Sequence, residues 1–221
     1  MPVLKFRSLI TFLCLLFAAV NSYADGEGPV WITKDIQSLE VNHEDRTVVI
    51  ERIQNNEHMI DWDYALTSRP CPPFCVQPMN LASGVETIGE LEVLDYLKAM
   101  QKGDEKIMLI DSRDEWWLGK GMIPGAVSIP WKKLHAAQAE PQEIAKILEF
   151  DFGAIFHDGL WNFENAKTLV FYCNGVWCGQ SPTNILSLLA VGYPPGKLKW
   201  YRGGMQAWKG LGLTTIPKKA E

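Results

Sequence analysis

The sequence predicts an α/β fold in which helices flank a mostly parallel sheet, with a β-hairpin in an N-terminal extension. Two short apolar runs, KIMLID at 106–111 and TLVFYC at 168–173, have the length and composition of buried strands. Segments with the apolar spacing of amphipathic helices precede and follow these runs. Strands that alternate with helices favour parallel pairing, because a helix can return the chain to the edge where the previous strand began.

Composition limits the classes of function. The chain has 221 residues, of which 47% are hydrophobic, and this suits one medium domain with a smaller appendage. The formal net charge of -5 argues against a nucleic-acid partner, which would require a basic surface. The four histidines are scattered along the chain, and we expect neither a metal ion nor a cofactor.

Residues 1–24 have the pattern of a secretory signal peptide. Lys5 and Arg7 precede the apolar run LITFLCLLFAAV, and small residues stand at the positions before a cleavage site after Ala24. The pattern predicts a periplasmic or secreted protein. Retention of this segment as a membrane anchor is the alternative, and membrane contact is expected only through it if it is not cleaved.

Residues 25–86 form the predicted N-terminal extension. Apolar and polar residues alternate on both sides of NHED at 42–45, which predicts the β-hairpin. The following stretch, TSRPCPPFCVQPMNL, is too rich in proline for regular structure and reads as a connector. A local disulfide between its Cys71 and Cys75 is favoured because export favours oxidation. Electron exchange with other cysteines and a metal site with His58 are the alternatives.

Residues 87–215 carry the alternating strands and helices, and residues 216–221 are a C-terminal tail. Thr87 and Glu90 match a capping box at the start of the helix that contains ELEVLDYLKAM. PQEIAKILEF reads as a second amphipathic helix. In SPTNILSLLAVG we expect Ser181 as N-cap, Pro182 at the first helical position and Gly192 just past the end. KLKWYRGG reads as a further strand that runs into a glycine turn.

The segment FYCNGVWCGQSP at 171–182 carries the chemistry. Cys173 ends a buried strand, and the ligand site of an α/β sheet lies at that end of the strands. Backbone N–H groups of the loop, which Gly175 and Gly179 allow to turn inward, would lower the pKa of a thiol there. The pattern suits nucleophilic sulfur chemistry. A disulfide between Cys173 and Cys178, two inert buried thiols and a zinc site remain as alternatives.

The motifs of residues 87–215 resemble those of the rhodanese-like (sulfurtransferase) domain family. LIDSRDEWWLGKGMIPGAVSIP resembles that family's Asp-x-Arg and Gly-His-Ile-Pro-Gly-Ala … Ile-Pro signature. LVFYC resembles the strand before its catalytic cysteine, and YRGGMQAWKGLGL resembles its Gly-Gly-x-x-x-Trp segment. The resemblance implies a rhodanese-like fold. It also implies that Cys173 accepts a sulfane sulfur from a small donor and passes it to a thiol or cyanide-type acceptor, the thiol being small or on a protein.

The loop departs from the family pattern Cys-x-x-Gly-x-Arg-Ser. Cys178 stands where the arginine is usual, so we expect it to act as a second catalytic, resolving thiol. Asp111 and Arg113 are expected to form a structural ion pair beneath the loop. Arg202, after the third strand, either replaces the missing charge or is a solvated strand-end residue. The predicted substrate- and anion-binding residues are Asn174, Gly175, Val176, Trp177, Gly179, Gln180, Ser181 and Arg202.

Three functions compete at this point. The first is an exported sulfurtransferase that works through a Cys173 persulfide. The second is a thiol-disulfide redox protein that uses Cys173 and Cys178, and the third is a catalytically inactive rhodanese-fold binding module. A phosphatase of related fold is disfavoured, because the loop has no arginine to hold a phosphate group.

Overall fold

A five-stranded parallel sheet is the centre of the computed structural model, which describes residues 28–69 and 77–218. The strands of the described residues are β1 (Ser38–His43), β2 (Arg46–Glu51), β3 (Glu86–Ile88), β4 (Ile107–Asp111), β5 (Val127–Ser128), β6 (Ile155–His157), β7 (Leu160–Asn162), β8 (Thr168–Tyr172) and β9 (Leu198–Tyr201). The central sheet has the order β3-β9-β8-β4-β5, and every neighbouring pair in it is parallel. The predicted α/β class with a mostly parallel sheet is therefore confirmed.

Helices cover both faces of this sheet. They are α1 (Trp62–Ala65), α2 (Glu90–Gln101), α3 (Pro141–Lys146), α4 (Gln180–Ala190) and α5 (Gly204–Gly210). A single π turn at Ile147–Asp151 extends α3, and short 3₁₀ turns occupy Glu115–Lys120, Trp131–Lys133 and Pro195–Lys197. In those described segments no helix is both long and apolar enough to cross a membrane.

The alternation of side chains along β8 divides the interior into two layers. Val170 and Tyr172 face the layer that contains α2, α5 and the hairpin, whereas Leu169 and Phe171 face the layer that contains α4. All four side chains are fully buried, as expected for a central strand of a parallel sheet. The carboxyl end of β8 is thereby packed on both faces, so the residue at which the following loop begins is held in place.

The predicted N-terminal hairpin is confirmed. Strands β1 and β2 are antiparallel and pair Val41 with Val48 and Leu39 with Ile50. Val41 and Ile50 are buried in the same layer as Leu97 of α2. The hairpin thus shares one hydrophobic core with the parallel sheet. Because the hairpin is fixed there, the residues that follow it start next to residues 87–215.

The start of α2 differs from the prediction. Thr87 is not the N-cap, because residues 86–88 form β3 and Thr87 pairs with Trp200 of the neighbouring strand. The cap is Gly89, whose N–H donates to Glu92 Oε2 at 2.9 Å. The predicted capping box was therefore shifted by two residues, since a short edge strand, which the sequence pattern did not indicate, took the first positions.

The start of α4 also differs. The helix begins at Gln180 with Gly179 as its N-cap, so the predicted N-cap at Ser181 and the first helical position at Pro182 are wrong. The Ser181 hydroxyl is directed to the Cys173 sulfur instead of to the helix backbone. The predicted end is correct in kind: Gly192 adopts a φ of 88° one residue beyond the C-cap, a conformation that favours glycine.

Other predictions fall outside the described residues. The signal-peptide segment 1–24 and the cysteines of CPPFC, Cys71 and Cys75, lie in residues that the structure does not describe. Strands β5, β6 and β7 were not predicted, because runs of two or three residues give no periodic signal.

Helix α4 offers a direct stability test of this packing. Leu188 is 1% exposed in the second core layer, whereas Leu186 on the same helix is 49% exposed. We expect Leu188→Ala to lower the free energy of unfolding by about 2–5 kcal/mol, because it leaves a cavity, and Leu186→Ala by less than about 1 kcal/mol. Equilibrium unfolding in urea measures both variants. Equal losses would contradict the packing of this helix.

Candidate active site

The candidate site lies at the carboxyl ends of β4 and β8, the two central strands. Cys173 directly follows β8, and Asp111 ends β4 beside it, followed by Ser112 and Arg113. The Ser112 N–H donates to the Tyr172 carbonyl at 3.0 Å, which extends the pairing of the two strands to the edge of the site. The loop 173–179 then leads into α4. A strand end followed by a helix start brings backbone N–H donors to a single point.

The sulfur of Cys173 is surrounded by hydrogen-bonding groups. Cys173 is 2% exposed, and its Sγ accepts a hydrogen bond from the Ser181 hydroxyl at 3.1 Å. Its Sγ also lies 3.5 Å from the carbonyl oxygen of Cys178, to which the protonated thiol can donate. Cys173 and Cys178 are both free thiols, so the predicted alternative of a disulfide between them is not present in the structure.

These groups favour the thiolate form of Cys173. Burial alone would raise its pKa, but hydrogen bonds from the Cys178 thiol, from the Ser181 hydroxyl and backbone, and from the Gly175 N–H outweigh burial and lower the pKa of Cys173 to about 7. Burial, the hydrogen bond with Cys173 and the charge of that neighbour raise the pKa of Cys178 well above its ordinary value. The pair therefore consists of one ionisable nucleophile and one thiol that stays protonated and acts as a donor.

The start of α5 holds the loop backbone in place. The N–H groups of Met205 and Gln206 donate to the carbonyls of Cys173 and Asn174 at 2.9 and 2.8 Å. Gly204 directly precedes them with a φ of 54°, and a Cβ on it would collide with the Cys173 carbonyl oxygen. The Gly-Gly segment is thus required by the close approach of two backbones, which only glycine permits.

A polar network lies beneath the loop. Arg113 and Asp111 form a fully buried ion pair, with 2.6 Å between Nη2 and Oδ2, and the Tyr172 hydroxyl donates to the same Asp111 oxygen at 2.9 Å. Arg113 Nη1 donates to the Tyr64 hydroxyl at 2.9 Å and lies 3.5 Å from Asn174 Oδ1. The network therefore joins β4, β8, the loop and the N-terminal extension.

The side chain of Asn174 belongs to this network. Its side chain is 2% exposed, and its Oδ1 accepts from Tyr64 at 3.4 Å and from Arg113, on the side away from solvent. The role of Asn174 in substrate and anion binding stays a prediction.

The far side of the loop connects through Gln180 to Asp114, just before the 3₁₀ turn Glu115–Lys120. The Cys178 Sγ lies 3.7 Å from Gln180 Oε1, and Gln180 Nε2 donates to Asp114 Oδ2 at 2.7 Å. Gly175 and Cys178 close the loop, since the Cys178 N–H donates to the Gly175 carbonyl at 2.9 Å. Val176, Trp177 and Gly179 are half-buried, so the tip of the loop is the part that faces solvent.

Arg202 is bound to the segment that begins at residue 77. Its Nη2 donates to the carbonyl oxygen of Gln77 at 2.9 Å. Within residues 28–69 and 77–218, no hydrogen bond or ion pair joins Arg202 to Cys173 or Cys178. The guanidinium attaches the chain at residue 77 to the end of β9, and its role as the substitute charge of the loop stays a prediction.

Two residues of the N-terminal extension reach the site without a signal in the sequence. Tyr64 is 2% exposed and contacts the network described above. Arg69 places its guanidinium carbon 4.2 Å from the ring centroid of Trp177, at the loop tip. Each lies more than 100 residues before its partner in the loop, and no local pattern could have predicted the contacts.

No metal site accompanies these groups in the described part of the chain. It contains no cluster of three or more histidine, cysteine or acidic side chains with metal-binding geometry. The zinc alternative for Cys173 and Cys178 therefore has no further ligands there.

A model of the rhodanese-like domain matches residues 93–211, more than half of the chain. The chain belongs to the rhodanese-like domain family. This family assignment agrees with the motifs at 106–130 and 201–213 and with the strand order around Cys173. A search of curated proteins gives no significant match.

Solved structures with a similar chain course have low sequence identity. A human single-domain sulfurtransferase is 21% identical over 57% of this chain and 96% of its own, with a TM-score of 0.39. A thiosulfate sulfurtransferase from Pseudomonas aeruginosa is 17% identical over 62% of this chain and 21% of its own, with a TM-score of 0.41. A protein from Bacillus halodurans is 18% identical over 60% of this chain and 77% of its own, with the same score.

The hydrogen bonds at the sulfur predict a pH dependence for alkylation. Thiolate is the reactive form, so alkylation of Cys173 by iodoacetamide should be half-maximal near pH 7 and fall as the pH drops below that value. Ser181→Ala removes one donor, raises the pKa of Cys173 and should slow alkylation at pH 7 by roughly threefold or more. Both effects are measured by quenching the alkylation at set times, at several pH values, and quantifying the modified Cys173 peptide by peptide mapping.

Thr183→Val is the matched control for this measurement. Its hydroxyl lies on the same helix but donates to the Gly179 carbonyl and does not touch the sulfur. The control should keep the wild-type profile. A profile of Ser181→Ala that coincides with that of the wild type would contradict the role of this hydroxyl.

Proposed function

We propose that the protein is a sulfurtransferase that carries a sulfane sulfur as a persulfide on Cys173. One observation carries the proposal: at the end of β8, the Cys173 sulfur receives several hydrogen bonds in a buried loop, and its pKa is lowered to about 7. A nucleophile of this kind needs no general base at neutral pH. Membership of the rhodanese-like family supports the same chemistry.

The first half-reaction loads the sulfur. The Cys173 thiolate attacks the sulfane sulfur of a donor, a new sulfur–sulfur bond forms, and the donor's other group leaves with the bonding electron pair. The persulfide anion that remains is stabilised by the same donors that stabilise the thiolate, among them the Gly175 and Ser181 N–H groups. No external oxidant or reductant is consumed in this step.

The second half-reaction delivers the sulfur. A nucleophilic acceptor, a thiolate or a cyanide-type anion, attacks the outer sulfur and breaks its bond to Cys173. The Cys173 thiolate is the leaving group, and its low pKa makes it a good one. The half-buried tip at Val176 and Trp177 is the side from which donor and acceptor would approach.

The setting of the reaction is also part of the proposal. The pattern of residues 1–24 supports export to the periplasm or the medium, where the partners would be a small sulfur donor and a small or protein-borne thiol. The loop segment 174–181 contains no arginine or lysine, so thiosulfate is not favoured over other donors by the loop itself.

A thiol-disulfide redox protein is the second candidate, and the coupling of the two loop thiols favours it. The Cys173 thiolate would attack a substrate disulfide, release one substrate thiol and form a mixed disulfide. Cys178 would then lose its proton, attack Cys173 and release the second substrate thiol. The pKa of Cys178, which burial and its thiol neighbour raise well above the ordinary value, disfavours this second attack at neutral pH.

Two substitutions separate these functions. Cys173→Ser should reduce sulfur transfer to the uncatalysed rate, because the nucleophile is lost, whereas Cys178→Ser should retain transfer. The redox function requires both thiols, so it predicts that each variant abolishes activity and that the wild type forms a reducible bridge between them. Transfer assays with several donors, together with mass spectrometry of donor-treated protein, distinguish these outcomes.

The position of the added sulfur decides the assignment of the nucleophile. We expect one extra sulfur on the peptide that contains Cys173 in the Cys178→Ser variant. A persulfide on Cys178 with none on Cys173 would overturn the proposal. Transfer that is unaffected by Cys173→Ser would also overturn it, whereas transfer at the uncatalysed rate in both the wild type and Cys173→Ser would support the catalytically inactive binding module.

A further inference from the structure

We propose that Asp114 and Gln180 keep the Cys178 thiol protonated and thereby protect a persulfide on Cys173 from attack by Cys178. The inference rests on the proposed function, since it concerns the lifetime of the sulfur that Cys173 carries. Gln180 is then a positioning residue, because it acts on the reactive sulfur through Cys178.

The orientation of the Gln180 amide is fixed by a carboxylate. Gln180 Nε2 donates to Asp114 Oδ2 at 2.7 Å, and Asp114 Oδ1 lies 3.1 Å from Lys132 Nζ in an ion pair. A carboxylate in an ion pair only accepts hydrogen bonds, so the amide faces it with its nitrogen. The amide oxygen therefore faces the loop, where Gln180 Oε1 lies 3.7 Å from Cys178 Sγ.

This oxygen selects the protonated form of Cys178. An amide oxygen only accepts, so its contact with the sulfur is a hydrogen bond when Cys178 is a thiol and a repulsion when it is a thiolate. The hydrogen bond from Cys178 to the Cys173 sulfur has the same requirement. The one proton of Cys178 thus has two acceptors, and both contacts are lost when it leaves.

Burial acts in the same direction as these contacts. Cys178 is 6% exposed. Burial, the hydrogen bond with Cys173 and the charge of Cys173 raise the pKa of Cys178 well above its ordinary value, although the backbone N–H groups of Asn174 and Gln180 act in the opposite direction.

The charged and titratable groups around the loop occupy separate positions. They are Cys173 in the loop, Arg69 on the Trp177 ring, Arg113 with Asp111 beneath the loop, and Asp114 with Lys132 behind the Gln180 amide. Cys173 acts on the pKa of Cys178 through its charge. Gln180 places a neutral amide between Cys178 and the carboxylate of Asp114.

A persulfide on Cys173 makes a Cys178 thiolate dangerous to the carried sulfur. In the persulfide the negative charge lies on the outer sulfur, and the Cys173 sulfur becomes open to nucleophilic attack. A Cys178 thiolate would attack Cys173 Sγ and form a disulfide with it. The outer sulfur would leave with the bonding electron pair and take up the proton that Cys178 lost, giving hydrosulfide.

This side reaction is balanced without any outside reagent. The two cysteine sulfurs are oxidised to the disulfide, and the sulfane sulfur is reduced to sulfide. The carried sulfur would be lost before an acceptor arrives. A thiol that stays protonated does not start this reaction, because the thiolate is the attacking form.

Gln180 is the acceptor that is held independently of the reactive sulfur. Once Cys173 carries a persulfide, its Sγ is neutral and accepts the Cys178 proton more weakly. The Gln180 oxygen is oriented from outside the loop, since Asp114 precedes the 3₁₀ turn Glu115–Lys120 and Lys132 lies in the turn Trp131–Lys133. The amide therefore continues to hold the proton of Cys178 in the loaded protein.

Alkylation of Cys178 tests the held proton without any sulfur donor. In a Cys173→Ser background, Gln180→Ala removes the acceptor, and Asp114→Ala releases the amide so that its N–H groups turn to the sulfur. We expect each change to lower the pKa of Cys178 and to speed its reaction with iodoacetamide at pH 8 by roughly fivefold. The rates are followed from pH 6 to 11 by peptide mapping.

The shape of the pH profile separates a held proton from simple access. Lower pKa values move the midpoint of the profile to lower pH, whereas better access raises the rate equally at every pH. A midpoint that stays in place in both variants would overturn the proposal, whether or not Cys173 carries sulfur.

Release of sulfide tests the protection of the persulfide. Protein with Cys173 intact is treated with inorganic polysulfide and desalted, and sulfide and the Cys173–Cys178 disulfide are then measured over time. Gln180→Ala should speed both by roughly fivefold at pH 7, and addition of Cys178→Ser should abolish this acceleration, because the attacking thiol is lost. Mass spectrometry identifies the disulfide by the loss of two hydrogens.

Gln142→Ala is the matched control, since it removes the same amide from an exposed position on α3. It should release sulfide at the wild-type rate. Unchanged release in Gln180→Ala, or an acceleration that persists with Cys178→Ser, would overturn the proposal. Absence of any persulfide on Cys173 would instead contradict the proposed function, and the alkylation profile of Cys178 keeps the two failures apart.

Discussion

The buried ion pair between Asp111 and Arg113 is the constraint on which the site depends. Both side chains are fully buried, and their partners are the Tyr64 and Tyr172 hydroxyls and the Gly121 carbonyl. Burial opposes the charge on Arg113, but the adjacent carboxylate and its hydrogen bonds raise the pKa of Arg113 above its usual range. Because each partner belongs to a different segment, loss of either charge would leave the other unpaired and release several segments at once.

The reactive loop rests on this network from below and on α5 from the side. The carbonyls of Cys173 and Asn174 bind the first N–H groups of α5, so the N–H groups on the opposite side of the loop remain directed toward the sulfur. The scaffold and the nucleophile therefore have separate tasks. Charged groups fix the loop, while neutral donors, above all the Ser181 hydroxyl and the Gly175 N–H, stabilise the negative sulfur.

Local pattern was sufficient for the three central strands of the sheet, β9, β8 and β4, and for the position of Cys173. Each of these features lies in a contiguous stretch of apolar residues or in the loop and helix that follow it. The local pattern gave wrong predictions where a side chain makes a tertiary contact instead of the local hydrogen bond that its position in the sequence suggests. Ser181 fits an N-cap by sequence, yet its hydroxyl binds sulfur and Gly179 caps the helix. Tyr64 and Arg69 could not be predicted as site residues, since their contacts in the loop, Asn174 and Trp177, lie more than 100 residues further along the chain.

The central claim is that the loop stabilises a persulfide on Cys173. A crystal structure of the Cys178→Ser variant after treatment with a sulfur donor tests this most directly, because it locates the added atom relative to its donors. The account predicts one additional sulfur bonded to Cys173 Sγ and directed at the N–H groups of the loop and of Ser181. An unmodified Cys173 in fully treated crystals, or an added sulfur directed away from those N–H groups, would contradict it.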